Sequence, residues 1–175
     1  MGETDPFSKA DLRVAQILEV KDHPQADKLY LMHVDLGKLG KRVIVAGIKG
    51  FYKKEDIKGK NIVIVTNLKP AKIRGITSNG MLLAAEDDTG IVSLLNPGNS
   101  TPGSEISIDG ISRDPAKVLE FEDFEKINMT IGEGLKAEYN GKVLKSEKGV
   151  GTTMVHITKG SIENRGIPIP PLPEQ

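Results

Sequence analysis

The chain has 175 residues, and its 24 basic residues balance 24 acidic ones. Because it contains no cysteine, disulfide bonds, thiolate nucleophiles and cysteine-ligated zinc or iron–sulfur sites are excluded. Three histidines give little basis for a metal site, and we expect neither a metal nor another cofactor. The sequence shows no secretory signal and no apolar run near the roughly 20 residues of a membrane helix, which predicts a soluble, cytoplasmic protein.

The neutral net charge hides a separation of charge along the chain. Residues 1–75 contain 15 Lys or Arg and 9 Asp or Glu, whereas residues 76–175 contain 9 and 15. Between residues 38 and 74, eleven basic residues accompany two acidic ones. This pattern is typical of a basic face directed at a polyanion, and it is equally compatible with an ordinary solvated lysine surface.

The first hundred residues predict short β-strands. Leu12, Val14, Leu18 and Val20 share one phase of a first strand, which residues 15–17 interrupt as a bulge would. Further strands are predicted at residues 29–36, 43–46, 62–65, 80–85 and 91–95, with a short helix within 51–57. No helix is long enough for a crossover between parallel strands. The expected fold is therefore mainly β, a five-stranded barrel of the oligonucleotide/oligosaccharide-binding (OB) type.

The second half predicts a small α+β subdomain packed on this barrel. Residues 115–128 carry Val118, Phe121, Phe124 and Ile127 at helical spacing, and this apolar stripe would cover a barrel surface. Short strands are predicted within residues 135–143, 144–148 and 153–159, joined by glycine-containing turns at residues 140–141 and 149–151. The tail at residues 167–175 is rich in proline, which fits either a ligand of a proline-binding module or a disordered or surface-attached end.

Catalytic motifs are lacking. The sequence has no nucleophile elbow, phosphate-binding loop or zinc-protease helix. The acidic run at residues 86–88 fits a solvated turn better than a cation site, because it lacks the spaced oxygen ligands of a calcium loop. His23 precedes a proline, which favours a capping or packing role over general-base work. We therefore expect a protein that is not an enzyme.

Three stretches resemble the tRNA-binding domain family. They are residues 11–14, residues 23–30 and residues 67–84, which occur in the family's order over roughly residues 9–106. That family includes free-standing tRNA-binding proteins and the C-terminal appendage of many methionyl-tRNA synthetases. The resemblance implies an OB-fold domain that binds tRNA as a folded object.

The second half also resembles the C-terminal region of the endothelial monocyte-activating polypeptide II type. This resemblance rests on residues 102–106, the segment 121–127 and the short strands up to residue 166. It implies three parts: a tRNA-binding domain (1–106), an extension that takes the place of a second subunit (107–166) and the proline-rich tail (167–175). A monomer with a pseudo-dimer interface is expected, with a homodimer as the alternative.

Most candidate RNA-binding residues lie in the basic segment, residues 38–74. Lys69, Lys72 and Arg74 are predicted to contact phosphates, which give affinity and position rather than base identity. Hydrogen bonds to ribose or base edges are predicted for Asn67, Ser78 and Asn79, although Asn67 and Ser78 are equally compatible with purely structural turn positions. Further cations would widen the landing surface, and these are Lys28, Lys49, Lys53, Lys54, Lys58 and Lys60.

The resulting hypothesis is a non-catalytic tRNA-binding protein that assists an aminoacyl-tRNA synthetase. Aromatic residues make up 4% of the chain, which is few for stacking on single strands and favours binding through the shape of a folded RNA. The alternative is a module that docks onto a synthetase complex through its acidic, apolar second half and binds RNA weakly. An enzyme within the barrel is the third reading, and it lacks a candidate set of catalytic residues.

Overall fold

A computed structural model describes residues 5–86, 90–148, 151–157 and 166–167 of the chain. The strands up to residue 107 are β1 (Leu12–Asp22), β2 (Tyr30–Asp35), β3 (Lys41–Ala46), β4 (Asn61–Val65), β5 (Ala71–Ile73), β6 (Ile76–Ser78), β7 (Met81–Leu82), β8 (Ala84–Glu86), β9 (Val92–Asn96) and β10 (Glu105–Ser107). Those that follow are β11 (Met129–Ile131), β12 (Ala137–Tyr139), β13 (Lys142–Val143), β14 (Lys145–Lys148), β15 (Gly151–Met154), β16 (His156–Ile157) and β17 (Gly166–Ile167).

Among all described residues, the α-helices are α1 (Lys54–Ile57) and α2 (Phe121–Phe124), and 3-10 turns span Pro6–Lys9, Gly37–Leu39 and Glu133–Leu135. The ladders between the strands are antiparallel. The mainly β fold predicted from the sequence is therefore confirmed.

The long strand β1 organises the first sheet. Its first half, Leu12 to Gln16, pairs with β4, and its second half, Gln16 to Asp22, pairs with β2 on the opposite edge. The register shifts between Ile17 and Glu19, so the bulge lies at Leu18 and the prediction of a bulge at residues 15–17 is wrong. Ala15 and Ile17 are buried regular strand residues, because both faces of this strand are covered.

The sheet that begins at β3 runs through β2, β1 and β4 to β7. Among the described residues no ladder joins β3 to β7 and closes the barrel. Two hydrogen bonds cross this seam instead: the backbone N–H of Asn79 donates to the carbonyl of Val43, and that of Val45 donates to Ser78 Oγ, each at 2.9 Å. The seam places residues 78 and 79 directly against β3.

Two hydrophobic cores share the same strands. The inner core lies within the sheet formed by β1 to β4 and contains Ala15, Ile17, Val20, Tyr30, Met32, Val34, Leu36, Ile44, Ala46, Ile48, Ile57, Ile62, Ile64, Leu82, Ala84, Val92 and Leu94. The outer core joins the opposite face to the extension and contains Phe7, Ala10, Leu12, Val14, Val63, Val65, Met81, Leu83, Ala85, Leu95, Ile106, Ile108, Leu119, Phe124, Ile127, Met129, Ile131, Ala137, Tyr139, Leu144 and Val155.

The alternation along β4 shows how this arrangement works. Ile62 and Ile64 enter the inner core, whereas Val63 and Val65 enter the outer core. A strand covered on both faces reads as a continuous apolar run, as this one does. The extension therefore packs on the first domain as a second layer.

The predicted helix at residues 115–128 is wrong, since α2 occupies only Phe121–Phe124. The preceding residues form no helix, because their backbone bonds to distant residues: the N–H groups of Asp114 and Ala116 donate to the carbonyls of Ser8 and Lys9. The apolar stripe is divided. Phe124 and Ile127 are buried in the outer core, whereas Val118 and Phe121 are 53% and 39% exposed.

The predicted strand at residues 80–85 is also divided. Met81 and Leu82 pair with β4, while Ala84 to Glu86 pair with β9. Gly80 precedes the break with a φ of 147°, and a Cβ there would lie 3.0 Å from Ile64 Cγ2. A side chain at this position would be strained, which accounts for the glycine.

The extension continues both sheets. β14 and β15 extend the sheet from β10, and β17 joins β11 to β8. The predicted turn at Asn140 and Gly141 connects β12 to β13, and both residues have positive φ. The predicted turn at residues 149–151 lies partly outside the described residues. Residues 87 and 88 of the acidic run and residues 168–175 of the tail lie entirely outside the described residues.

An ionic cluster fastens the extension to β1. Arg113 binds Asp11 and, at 2.9 Å, Glu105, while Arg13 binds Asp11 at 2.9 Å and the carbonyl of Gly103 at 3.0 Å. Burial alone would raise the pKa of Asp11. The hydrogen bond from Thr66 and the charges of Arg113 and Arg13 outweigh it and hold this pKa below its ordinary value of 3.8.

Candidate nucleic-acid interface

An exposed β-hairpin carries the predicted phosphate-binding residues. β5 and β6 pair in register, with Lys72 opposite Thr77 and Ile73 opposite Ile76. The two turn residues, Arg74 and Gly75, have φ of 51° and 90°, which is the backbone that two-residue hairpin turns require. Lys69, Lys72 and Arg74 are all exposed. The hairpin thus presents cations at its base, along its strand and at its tip.

Contacts at its base fix the orientation of this hairpin. Ile73 is buried against Leu29 and Val45 in a small third cluster. Buried His23 accepts a hydrogen bond from the backbone N–H of Gln25 at its Nδ1 (3.0 Å), so its Nε2 carries the proton and donates to the carbonyl of Ile73 (3.1 Å). The structural role predicted for His23 is confirmed.

A cleft of about 570 Å³ opens beside this hairpin. Its polar and charged lining comes from His33, Lys41, Arg42, Thr66, Asn67, Asn79 and Lys117, and its apolar lining comes from Val43, Leu68, Pro70 and Val118. No acidic residue belongs to this lining within the described chain. Leu68 and Pro70, the sequence neighbours of Lys69, both line the cleft, so it continues the basic surface of the hairpin. A cavity with cations and without carboxylates favours an anionic ligand.

Arg42 is fixed at the edge of the cleft. Its Nη1 donates to the carbonyl oxygens of Thr66 at 2.6 Å and Asn79 at 3.4 Å. These bonds join β3 to the residue that follows β4 and to a residue between β6 and β7. The guanidinium is therefore held in position beside Asn79, whose side chain is exposed, and such preorganised planar donors suit phosphate oxygens.

The structure gives Asn67 and Ser78 internal roles. Asn67 accepts from the backbone N–H of Asp11 and donates to the carbonyls of Lys9 and Ala116, all at 2.9 Å. Ser78 is 3% exposed, and its hydroxyl accepts from Val45 and donates to the carbonyl of Gly80 at 3.0 Å. Both side chains are used to hold the fold, and an RNA contact for either of them stays a prediction.

The remaining predicted cations lie away from the cleft lining. Lys49 and Lys54 both bind Asp22, at 3.1 Å and 3.0 Å. Hydrogen bonds from Lys54 and Lys49 hold the pKa of Asp22 below its ordinary value. The others, Lys28, Lys53, Lys58 and Lys60, are exposed, and Lys60 lines a separate cleft of about 880 Å³ with Phe51.

Sequence reasoning missed three cations that line the cleft. Lys41 and Arg42 belong to the basic segment that was noted, yet nothing in their spacing distinguishes them from its other lysines. Lys117 lies in the acidic half and is brought to the cleft by long-range backbone pairing. No group of acidic residues and histidines suited to a metal ion occurs within the described chain. In that same portion, no helix has the length and apolar character needed to cross a membrane.

A small antiparallel β domain with a basic hairpin beside a cationic cleft defines a nucleic-acid-binding module. Residues 12–105 match the family described as "Putative tRNA binding domain", and the chain belongs to that family. Residues of the extension, including Lys117, lie beyond this match.

Comparisons with individual proteins support this assignment. The chain is 54% identical over 91 residues to the methionine–tRNA ligase of Pyrococcus horikoshii, a match that covers 52% of this chain and 12% of the ligase. The crystal structure of the C-terminal domain of Plasmodium vivax p43 superposes with a TM-score of 0.80 at 25% identity, covering 92% of this chain and 98% of that one.

A third similar protein is the CsaA chaperone protein of Picrophilus torridus, with a TM-score of 0.56 and 35% identity over 61% of this chain and 100% of that one. The ligase and CsaA matches thus cover little more than half of this chain, whereas the p43 match also includes most of the extension. The predicted resemblance of the second half to endothelial monocyte-activating polypeptide II stays a prediction.

Proposed function

We propose that this protein binds folded tRNA without catalysing a reaction on it, through contacts to phosphates and riboses. The observation that carries the proposal is the exposed hairpin with Lys69, Lys72 and Arg74 beside a cleft lined by Lys41, Arg42 and Lys117. Contacts of these cations with phosphates displace counterions and supply affinity that does not depend on base sequence.

A folded RNA fits this surface better than a single strand. Sequence-tolerant binding of single strands needs several exposed aromatic rings on which bases stack. Phe7, Tyr30, Phe124 and Tyr139 are buried, and neither of the exposed rings, Phe51 and Phe121, lines the cationic cleft. Shape readout through phosphates and 2′-hydroxyl groups needs no stacking rings.

Assistance to an aminoacyl-tRNA synthetase is the role we infer from the relatives. The stretch of the ligase that matches 91 residues of this chain makes up 12% of the ligase. Such a domain would raise the local concentration of tRNA for a synthetase that it accompanies in the cytoplasm. We propose that the protein is a monomer. In the outer core the extension covers a sheet face of the first domain that a second subunit would otherwise have to cover.

The test is a titration of folded, unmodified tRNA against single-stranded RNA and duplex DNA of equal length, over a range of salt. Wild type is compared with a triple variant carrying Lys69→Ala, Lys72→Ala and Arg74→Ala. We expect wild type to bind tRNA more tightly than the other two nucleic acids. The variant should bind tRNA more weakly, and its slope of log K against log salt should be smaller in magnitude by about 2 to 3. Equal binding by the variant contradicts the assignment of the hairpin.

A docking function is the second candidate, and the exposed apolar residues Val118 and Phe121 favour it. These two side chains lie close together in sequence within the acidic half of the chain, and such exposed apolar residues are compatible with binding to a protein partner. Absence of tRNA binding by wild type at physiological salt would move this candidate to first place.

A further inference from the structure

We infer that the extension is itself part of the RNA-binding site: Lys117 contacts an RNA phosphate in the cleft that residues 117 and 118 share with the first domain. This inference rests on the proposed function and deepens it. The family match ends at residue 105, so it assigns no RNA contact to this part of the chain.

The first argument is the position of the segment. The backbone N–H of Leu119 donates to the carbonyl of Asn67 at 2.7 Å, and the N–H of Lys69 donates to the carbonyl of Leu119 at 2.8 Å. Ala116 is bound to the side chain of Asn67 at 2.9 Å. Residues 117 and 118 are thus held between two fixed points against the strand-like stretch that leads into the basic hairpin.

The second argument is how firmly this position is held. Leu68 and Leu119 form a parallel β-bridge, and Leu119 is 3% exposed within the outer core. A side chain on a segment fixed by packing and backbone pairing loses little backbone freedom on binding, which favours affinity. The cleft wall is therefore part of the folded scaffold.

The third argument is charge. Lys117 is exposed and shares the cleft with Lys41 and Arg42, while no carboxylate lines it within the described residues. Within the same residues, neither Lys117 nor Lys41 forms an ion pair. Three cations brought together without acidic partners repel one another, and a phosphate between them removes that repulsion.

The shape of the cleft completes the argument. Val43, Leu68, Pro70 and Val118 give it apolar walls, next to the exposed amide of Asn79. An unpaired nucleotide matches this combination, with its base or ribose against the apolar side chains and its phosphate among the cations. The extension then does more than cover the barrel, since it supplies one wall of the ligand site.

The experiment uses the absence of cysteine from the natural chain. Lys117→Cys gives a unique thiol, and alkylation with 2-bromoethylamine converts it into a lysine analogue that restores the positive charge. The matched control is Lys142→Cys, which removes an exposed lysine of the extension that lies outside the cleft lining. Each protein is titrated with folded tRNA at several salt concentrations, and its unfolding midpoint in urea is measured.

We expect Lys117→Cys to bind tRNA several-fold more weakly than wild type and to reduce the slope of log K against log salt by roughly 0.7 to 0.9, the value of one phosphate contact. Aminoethylation should restore both quantities, and the unfolding midpoint should not move. Lys142→Cys should bind as wild type does.

Two results overturn the inference in distinguishable ways. If wild type binds tRNA and the hairpin triple variant weakens it, while Lys117→Cys behaves as Lys142→Cys does, the proposed function stands and the role of Lys117 is wrong. If wild type shows no preference for folded tRNA, both the proposed function and this inference are wrong.

Discussion

The side-chain amide of Asn67 donates to the carbonyl oxygen of Ala116 at 2.9 Å, which fastens the extension to the first domain immediately before Lys117. The same side chain also binds the backbone of Lys9 and Asp11. Three separate stretches of chain thus meet at one amide, which makes Asn67 a structural centre of the contact between the extension and the first domain.

Replacement of this amide should destabilise the protein. We expect Asn67→Ala to lower the free energy of unfolding by roughly 2 to 4 kcal/mol, because three part-buried backbone groups lose their partner. Urea unfolding followed by circular dichroism measures this change. Thr77→Ala, on the exposed hairpin, is the control and should change stability little. An unchanged midpoint for Asn67→Ala would contradict the structural role.

Removal of the hydrogen bond between His23 and Ile73 should weaken tRNA binding without removing a contact between a cation and a phosphate. His23→Ala removes the bond to the hairpin and leaves Lys69, Lys72 and Arg74 in place. We expect weaker tRNA binding with an unchanged salt slope, because the cations are still present but less well oriented. Titration across salt tests this, and amide hydrogen exchange at residues 71–78 should be faster in the variant. A reduced slope would show that phosphate contacts themselves are lost.

Asp22 offers a test of the predicted roles of Lys49 and Lys54. Asp22→Asn removes the carboxylate that both lysines bind. If these lysines face RNA, tRNA affinity at low salt rises and the salt slope becomes steeper, because two cations no longer share a partner. Glu19→Gln, which makes the same change of charge on the same strand, is the control. Identical behaviour of the two variants would place Lys49 and Lys54 outside the interface.

The ionic cluster around Asp11 predicts a dependence of stability on acidic pH. The pKa of Asp11 in the folded protein lies below its ordinary value of 3.8, so its ionised form stabilises the fold at pH values above that. This contribution is lost as the pH falls through the lowered pKa. We expect the difference in unfolding free energy between wild type and Asp11→Asn to be constant near pH 7 and to shrink below about pH 4. Urea unfolding at a series of pH values measures it.

The outer core predicts that the first domain and the extension unfold together. Phe124 is fully buried there with Leu12 and Val63 of the first domain. Phe124→Ala should lower the free energy of unfolding by about 3 to 5 kcal/mol. The transition should stay single when followed by circular dichroism and by calorimetry. Two separated transitions would show that the two parts fold independently.

Much of the first sheet could be predicted from sequence, because β1 to β4 have apolar patterns that local geometry explains. The helix at residues 115–128 could not. Its spacing is helical, but the N–H groups of Asp114 and Ala116 find carbonyl partners about a hundred residues earlier. Such long-range pairing leaves no local signal in the sequence.

The exposure of Lys69, Lys72 and Arg74 could be expected because charged side chains are mostly exposed, whereas their contact with RNA stays a prediction. Asn67 and Ser78 are different, because an amide or hydroxyl that binds RNA looks the same in sequence as one that binds its own backbone. Lys117 was missed because the residues that complete its cleft, such as Arg42, are 75 positions away.

The strands with two covered faces also affect how the protein is made. On the ribosome, Leu12, Val14 and Leu83 emerge well before the residues that cover them, which in the described part of the outer core extend to Val155. The roughly 50 residues that follow Ile106 take about 3 to 10 s to synthesise at ~5–20 residues per second. During that interval the nascent domain exposes an apolar sheet face, which makes this the stage of its life cycle at which chaperone binding or aggregation competes with folding.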